Sequence, residues 1–174
     1  MTTANYDAFC ESLLKCIPEN RQFRDELHCL TYGTDASFYR LIPKVVVKVK
    51  SEEEVVSVLR LAQRNNVPVT FRAAGTSLSG QAVTDSVLVV LEGDSWREFA
   101  IHEAGRQITL QPGIIGAQAN KYLAPLGRKI GPDPASIATA KIGGIAANNA
   151  SGMCCGTAQN SYRTLAGMRI VFVD

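Results

Sequence analysis

Three β-branched runs, and the helix between the first two, most narrowly limit the fold of this chain. The run KVVVKVK (residues 44–50) predicts a strand, because β-branched residues favour extended backbone. Ser51 followed by three glutamates predicts a helix start, since a hydroxyl caps free N–H groups and acids favour the positive end of the helix. That helix is expected to end near Arg64, and VPVTFRA (67–73) and SVLVVLEG (86–93) predict two further strands. Strand, helix, strand, loop and strand in this order predict a small α/β layer.

The flanking patterns predict a helical N-terminal segment (residues 1–30) and a domain over residues 31–174. The other predicted elements are helices over residues 6–17, 23–30 and 115–127, a hairpin over 97–113 that turns at 103–105, and a final strand over 164–174. Because the last strand pattern stops at Asp174, we expect an N-terminal fragment whose domain is incomplete. The predicted fold class is α+β: a small α/β subdomain of parallel strands with helices, then the beginning of a second, mixed or antiparallel sheet subdomain.

The composition is that of an ordinary globular protein, which excludes several partners. Hydrophobic residues make up 46% of the chain and charged residues 20%, with a formal net charge of +2. This balance predicts neither a nucleic acid nor an acidic membrane surface as partner. No apolar run approaches the roughly 20 residues of a membrane-spanning helix, and the N-terminus lacks the apolar core of a signal peptide. A cytoplasmic protein is expected, and peripheral association of a full-length protein with the inner membrane stays open.

The cysteines and histidines form no recognisable metal or disulfide pattern. The five cysteines are at positions 10, 16, 29, 154 and 155. Their odd number and the absence of a C-x-x-C pair argue against disulfides and zinc, and predict free thiols in a reducing compartment. His28 and His102 have no ligand-like neighbour three or four positions further on, so they are expected to be structural or solvated.

The stretch FRAAGTSLSGQ (71–81) concentrates small residues and hydroxyls directly after a predicted strand. Gly75 and Gly80 match the start of a P-loop, but Gln81 and Ala82 stand where that motif needs Lys and a hydroxyl residue. The glycine spacing of the dinucleotide fingerprint does not occur either. Two interpretations stay open: a tight turn that needs glycine dihedrals, or a concavity of backbone N–H groups that binds a pyrophosphate.

A second stretch of similar character, IGGIAANNASG (142–152), lies further along the chain. Gly143 and Gly144 are expected to offer amides to a ligand, while Asn148 and Asn149 supply donors and acceptors for a heteroaromatic edge or ribitol hydroxyls. The alternative is a short, alanine-rich buried helix with a glycine at its end. Two such stretches with no catalytic base between them favour a binder of a long polar cofactor.

Three segments together resemble a known family. They are VTFRAAGTSLSGQ, GPDPASIATAKIGGIAANNASG and LAGMRIVFVD. They resemble the FAD-binding domain of the vanillyl-alcohol-oxidase and p-cresol-methylhydroxylase (PCMH) superfamily, within it the flavin-dependent D-lactate dehydrogenase and glycolate oxidase group. The likeness covers Tyr32 to Asp174. The stretch NNASGMCCGTAQNSYRTLAGMR is similar to the large bacterial branch, some of whose members oxidise D-2-hydroxyglutarate, and this allows an iron–sulfur cluster in a C-terminal part beyond Asp174.

The resemblance implies an FAD site, position by position. The first stretch is implied to hold the pyrophosphate through Ala73, Ala74, Gly75, Thr76, Ser77 and Leu78, with Gly80 and Gln81 extending the contact. The second motif is implied to lie along the cofactor at Pro132, Asp133 and Thr139, and to line its middle and isoalloxazine end at Ile142, Gly143, Gly144, Asn148, Ser151 and Gly152. Members with covalent flavin often carry a histidine in the first loop. Thr76 and Ser77 stand there in this chain, so non-covalent FAD is implied.

The chain departs from the family's pattern at two places. Ala73 and Ala74 stand where many relatives have more glycine, which stiffens the turn but keeps it small. Lys141 precedes the second stretch where relatives often carry a neutral residue, and two alternatives stay open for it. Its cation either stabilises the pyrophosphate or the reduced flavin, or it points to water and has no role.

The resemblance implies oxidation of a D-2-hydroxy acid, such as D-lactate, glycolate or D-2-hydroxyglutarate, to the 2-oxo acid, with hydride passing to flavin N5. Family members bind this small-molecule substrate with arginines, histidines and often a divalent metal of a later cap domain. The chain ends before that region, so no catalytic residue or metal ligand is assigned, and the chain alone is expected to be inactive. Uncovered strand edges leave self-association open.

The sequence does not identify the electron acceptor. Two other functions stay open beside oxidation of a hydroxy acid. One is FAD-dependent oxidation of another alcohol or a sugar, and the other is a phosphate-loop binding module without flavin.

Overall fold

The computed structural model describes residues 3–173, which form two units. The first unit contains the described residues up to Glu92 together with residues 170–173, and the second is Gly93–Arg169. The elements of the first unit are α1 (Tyr6–Leu13), β1 (Gln22–Phe23), α2 (Glu26–Thr31), β2 (Val45–Val49), α3 (Glu52–Arg64), β3 (Val69–Arg72) and β4 (Val87–Leu91). The elements of the second unit are β5 (Phe99–His102), β6 (Gln107–Leu110), α4 (Gly116–Leu123), α5 (Ile142–Ala147) and α6 (Ser161–Thr164).

The first unit is built on a four-stranded sheet in the order β1-β2-β4-β3. Strand β4 pairs in parallel with β2 on one side and with β3 on the other, while β1 adds to β2 in antiparallel orientation. Val46 and Leu88 are fully buried register partners, as expected for parallel strands covered on both faces. The predicted α/β layer is therefore confirmed, and the carboxyl ends of β2, β3 and β4 lie at one edge of the sheet.

Helix α3 begins as its capping pattern predicts. The Ser51 side chain accepts a hydrogen bond from the Glu54 amide at 3.3 Å, which satisfies one of the free N–H groups of the first turn. The helix ends at Arg64, and Asn66 takes a positive φ of 54° in the turn that leads to β3. Its buried face consists of Val55, Val58, Leu59 and Ala62.

An ion pair fixes the N-terminal segment to the sheet and to α3. The Arg21 guanidinium donates to both carboxylate oxygens of Glu54 at 2.7 Å and to the Lys48 carbonyl at 3.2 Å. Glu54 also accepts from the Lys50 amide at 2.7 Å. Arg21 is 8% exposed, so its charge is compensated inside the protein rather than by water. The predicted boundary at residue 30 stays a prediction.

The second unit contains the predicted hairpin. Strands β5 and β6 pair antiparallel, and the turn between them has positive φ angles at Glu103, Ala104 and Gly105. The Phe99 ring of the hairpin stacks on Tyr122 of α4 with 3.8 Å between centroids. Helix α4 continues into a short 3-10 turn that Gly127 ends with a φ of 66°, as the sequence predicts.

One predicted helix begins later than expected, and the last predicted strand is wrong. The second helix, α2, begins at Glu26 rather than Phe23, because Gln22 and Phe23 pair with β2 and the Asp25 side chain caps the helix. Residues 165–173 are not a strand. Within the described part of the chain no strand pairs with them, and an extended segment needs a partner to satisfy its backbone groups.

Candidate functional site

The loop at residues 73–81, here called the anion loop, leaves the carboxyl end of β3. In open α/β sheets this edge is where ligands bind. The amide N–H groups of residues 74–78 donate no hydrogen bond to any of residues 3–173. Backbone donors of a folded protein almost always have a partner, either in the protein or in solvent or ligand. The anion loop therefore presents a run of amides that a ligand can use, and anion binding there stays a prediction.

The two glycines of the anion loop both have left-handed backbone. Gly75 has a φ of 71° and Gly80 a φ of 72°. A Cβ atom at Gly75 would lie 2.5 Å from an Nη atom of Arg72, and one at Gly80 would lie 2.7 Å from the Tyr39 ring. Both positions thus need glycine for two independent reasons, the dihedral angle and the space.

The Ser77 hydroxyl organises the second half of the anion loop. It accepts from the Ser79 amide at 3.1 Å and from the Gln81 amide at 3.3 Å, and it donates to the Gln81 side-chain oxygen at 3.0 Å. The amides of Ser79 and Gln81, on the C-terminal side of the loop, are therefore already hydrogen-bonded within the protein. The free amides lie on the N-terminal side, which is the half that contains Gly75.

Arg72, the last residue of β3, holds the anion loop against the segment before β2. Its Nη1 atom donates to the carbonyls of Thr34 at 2.7 Å, Tyr32 at 3.3 Å and Ala82 at 3.4 Å. The guanidinium also lies over the Tyr32 ring, 5.6 Å from its centroid. Arg72 is half-buried, and this burial lowers the pKa of its guanidinium, although the group stays charged at neutral pH.

Asp35 makes a second connection between the same two segments. Its carboxylate accepts from the Ser37 amide at 2.8 Å and from the Ala82 amide at 3.4 Å, and the Ala36 amide donates to the Gly75 carbonyl at 3.0 Å. Burial alone raises the pKa of Asp35, but the hydrogen bonds from Ser37 and Ala82 outweigh it, so the pKa is lowered. Asp35 is a carboxylate that supports the loop.

A shallow pocket of about 290 Å³ opens beside the anion loop. It is lined by Tyr39, Arg40, Leu41, Ser79, Gly80 and Val83. Around it, Phe38 is fully exposed and Leu78 is 77% exposed. The loop is therefore bordered by apolar side chains as well as by free amides.

The second glycine-bearing stretch forms a short helix in the second unit, of which only Ile145 is buried, and its role in ligand binding stays a prediction. Residues Ile142–Ala147 form α5. The Gly143 amide donates to the Pro112 carbonyl at 3.0 Å and the Ile142 amide donates to the Ile114 carbonyl at 2.8 Å. The expectation that Gly143 offers its amide to a ligand is therefore wrong, whereas the Gly144 amide has no partner among the described residues.

The other glycine of this stretch serves close packing. A Cβ atom at Gly152 would lie 1.7 Å from the Asp133 carbonyl oxygen, so only glycine fits there. This contact brings Asp133 and Gly152 together, two residues that the sequence assigns to one cofactor site. Pro132 next to it is buried, while Asn148 and Thr139 are exposed and Ser151 is partly exposed. Asn149 is used internally, since its side chain accepts from the Tyr162 amide at 3.0 Å.

Lys141 lies at the N-terminus of α5 and is half-buried. Burial lowers the pKa of its ammonium group, and the nearby positive charge of Arg97 lowers it further. Its backbone forms a bridge with Ile115. No ion pair of Lys141 occurs within the part of the chain that the structure describes.

The remaining candidate groups take no part in a metal or disulfide site. His28 contacts Asp25 at 2.8 Å, and His102 contacts the Thr109 hydroxyl at 3.0 Å, both at the surface. All five cysteines are free thiols in the structure. Among the described residues no cluster of three or more His, Cys, Asp or Glu side chains is placed to hold a metal ion. Residues 3–173 also contain no helix that is both long and apolar enough to cross a bilayer.

Sequence reasoning missed the residues that support the anion loop, chiefly Arg72 and Asp35. One signal was available. Arg72 is a charged residue at the end of an otherwise uncharged strand, directly before the small residues, and a buried cation needs acceptors. Its acceptors come from carbonyls about 40 positions earlier, at Tyr32 and Thr34, and no local pattern indicates that contact.

Residues 43–174 match a family model described as an FAD binding domain. The glycolate oxidase subunit GlcD of Escherichia coli (strain K12) is 38% identical over 120 residues, which are 68% of this chain and 24% of that protein. The D-2-hydroxyglutarate dehydrogenase of the same strain is 32% identical over 126 residues, 71% of this chain and 12% of that protein. The chain thus matches a quarter or less of the length of these curated relatives.

Among solved structures, alkyldihydroxyacetonephosphate synthase superposes with a TM-score of 0.70 at 22% identity. The match covers 87% of this chain and 33% of that protein. At this level of identity the comparison shows a shared fold, in agreement with the fold that the sequence predicts.

Proposed function

This chain belongs to the family of FAD-binding domains of the PCMH type, and from that premise we propose that the anion loop holds the pyrophosphate of a non-covalently bound FAD. The observation that carries the proposal is the run of unpartnered amides at residues 74–78 beside a glycine with left-handed backbone. Successive amides of this kind form a concavity that suits the oxygens of a diphosphate.

The residues present fit this group by size as well as by charge. Ala73, Ala74 and Gly75 leave the backbone accessible, and Thr76 offers a hydroxyl. The guanidinium of Arg72 lies next to Gly75, with an Nη atom 2.5 Å from the position of a Cβ atom there. No histidine lies in residues 71–81, which supports a cofactor that is held without a covalent bond.

In the second unit we propose further FAD contacts at Pro132, Asp133, Thr139, Ile142, Gly144, Asn148, Ser151 and Gly152. Gly143 is left out of the amide donors because its N–H already binds Pro112. The Gly144 amide and the exposed Asn148 side chain are two of the polar groups there that have no hydrogen-bond partner among residues 3–173. This part of the proposal follows the family resemblance and the positions of these residues in the fold.

We propose that the whole protein oxidises a D-2-hydroxy acid of the glycolate, D-lactate or D-2-hydroxyglutarate kind. The support is the identity to a glycolate oxidase subunit and to a D-2-hydroxyglutarate dehydrogenase. When bound, FAD supplies the redox chemistry by accepting a hydride from the substrate. The residues of this chain would bind and orient the cofactor. Catalytic groups are assigned to none of its residues, so we expect no turnover by the chain alone.

Titration of FAD against the purified chain, followed by quenching of flavin fluorescence, tests the binding proposal. Gly75→Val should abolish FAD retention, because the new side chain meets Arg72 and strains a positive φ. Gly127→Val is the matched control, since Gly127 also has a positive φ of 66° but nothing within 4 Å. Equal FAD retention by the two variants would refute the pyrophosphate assignment. Saturable binding of riboflavin with the same affinity as FAD would argue against a diphosphate site.

A further inference from the structure

We propose that Arg72 is the positioning residue of the anion loop: its guanidinium connects both ends of the loop and supplies a positive charge beside Gly75. This inference rests on the proposed FAD function and deepens it. Arg72 itself precedes residues 73–81, and its side chain binds the carbonyl of Ala82, the residue that follows them. One side chain thus determines the distance between the two ends.

The same guanidinium also connects the anion loop to a separate segment, residues 32–35. The bonds to Thr34 and Tyr32 tie the loop to residues 32–35, and Ala36 binds Gly75 from that same segment. All three acceptors of Arg72 are main-chain carbonyls contacted by one nitrogen, Nη1, so the contact involves no carboxylate partner. Replacement by lysine would keep the charge but would move it to an ammonium group in place of the planar guanidinium, which changes the position of the donor.

The Asp35 carboxylate stabilises the charge of Arg72 from a distance, but the two groups form no ion pair. No carboxylate of residues 3–173 lies within 4.0 Å of its guanidinium, although the group is half-buried. Asp35 is near, but its oxygens bind the amides of Ser37 and Ala82. A half-buried cation is stabilised by nearby negative charge, and here an Nη atom of Arg72 lies 2.5 Å from the position that a Cβ atom of Gly75 would take. In this proposal the FAD diphosphate supplies the further negative charge.

Three variants of the whole chain distinguish the effect of the Arg72 charge from the effect of its guanidinium shape. Arg72→Gln keeps a donor for one carbonyl and removes the charge, whereas Arg72→Lys keeps the charge and replaces the planar guanidinium. Arg60→Gln is the control, because it removes an exposed charge from α3. The measurement is the FAD dissociation constant at several sodium chloride concentrations. We expect both Arg72 variants to bind FAD at least about tenfold more weakly than Arg60→Gln, since Arg72→Gln loses the charge-assisted bonds and Arg72→Lys loses the guanidinium that reaches the three carbonyls. We also expect FAD binding by Arg72→Gln, but not by Arg60→Gln, to depend less steeply on salt.

A purely structural role of Arg72 would leave the salt dependence unchanged, so an unchanged slope in Arg72→Gln overturns the charge part of this inference. Equal FAD affinity of all three variants overturns the inference while the FAD proposal stands. Failure of the wild-type chain to bind FAD overturns both. If Arg72→Gln does not fold, as judged by far-ultraviolet circular dichroism, Arg72→Lys decides: a tenfold loss supports the inference and an unchanged affinity refutes it.

Discussion

The two glycine-bearing stretches look alike in sequence but use their glycines in opposite ways. In the anion loop, Gly75 and Gly80 have left-handed backbone, and the neighbouring amides at residues 74–78 bind nothing in the described chain. In the second stretch, Gly143 and Gly152 lack positive φ angles and are pressed against Pro112 and Asp133. Glycine in the first stretch leaves neighbouring amides free, whereas glycine in the second stretch lets another residue fill the space of a side chain.

The largest expected effect is a loss of stability on substitution of Gly152, which tests whether this glycine is needed for close packing. Gly152→Ala places a Cβ atom 1.7 Å from the Asp133 carbonyl oxygen, so the backbone must shift. We expect a loss of about 3 kcal/mol or more in the free energy of unfolding, at the upper end for overpacking. Urea unfolding of the purified chain measures it. Gly167→Ala is the control in the same unit, because nothing lies within 4 Å of that position. Similar stability of the two variants would show that Gly152 is not needed for packing.

The next largest expected effect is a difference in acid sensitivity: low pH should destabilise the first unit more than the second. The hydrogen bond from Arg21 lowers the pKa of Glu54 although burial opposes it, so the stabilisation is complete above the unfolded pKa of about 4.3 and is lost as pH falls through the lower, folded value. Among the described residues of the second unit, the ion pairs Arg97–Asp94 and Arg106–Glu103 are exposed and contribute little.

The corresponding variant is Glu54→Gln, which we expect to cost about 2 kcal/mol at pH 7 and to flatten the acid dependence of the first unit. Hydrogen exchange resolved by mass spectrometry follows each unit separately at pH 7 and pH 4. Equal acid sensitivity of the wild-type units would contradict this account, as would an unaltered pH profile in Glu54→Gln.

A pair of alanine substitutions sharpens the comparison at the level of ligand binding. Gly143→Ala presses on Pro112, with 2.9 Å between the new Cβ and the proline Cβ, and should cost about 1 kcal/mol of stability with a smaller effect on FAD affinity. Gly75→Ala strains a positive φ at a similar cost of about 1 kcal/mol but should weaken FAD binding more strongly. For each variant, thermal unfolding measures the loss of stability and FAD titration measures the loss of affinity. An equal loss of FAD affinity in both would remove the proposed distinction.

The smallest effect concerns the thiols. Cys154 is exposed, whereas Cys155 is buried, and burial raises the pKa of Cys10, Cys16 and Cys29 in the first unit. We expect one thiol to react rapidly with Ellman's reagent and the others slowly, since a raised pKa reduces the thiolate fraction. Cys154→Ser should remove the rapid phase while changing stability by no more than about 0.5 kcal/mol. Rapid reaction of two thiols in the folded wild type would contradict the burial of Cys155.

Local patterns predicted the elements that local residues determine. Strands β2, β3 and β4, the Ser51 cap of α3 and the hairpin of β5 and β6 all follow from runs and turns of a few residues. The two-residue strand β1 could not be predicted, because Gln22 and Phe23 are defined by pairing with Val47 and Val46. The strand pattern over residues 165–173 had the right composition, but a strand needs a neighbour, which sequence alone does not reveal.

The candidate site was predictable to the same extent. The position of the anion loop after β3 and the need for small residues followed from the sequence. Use of the Gly143 amide could not be inferred, since its acceptor is Pro112, about 30 positions earlier. The support by Arg72 likewise depends on carbonyls that the fold, and not the local sequence, brings near.

The sheet order gives the anion loop one further property. Strand β3 lies at the edge of the described sheet and pairs only with β4. Residues 73–81 can therefore be regarded as a replaceable loop, here called the cassette. Its replacement would leave the pairing of β2 with β4 intact. A protein engineer who transplants a loop of different ligand preference should keep Arg72 and Asp35 with it, because those two side chains connect the cassette to its host.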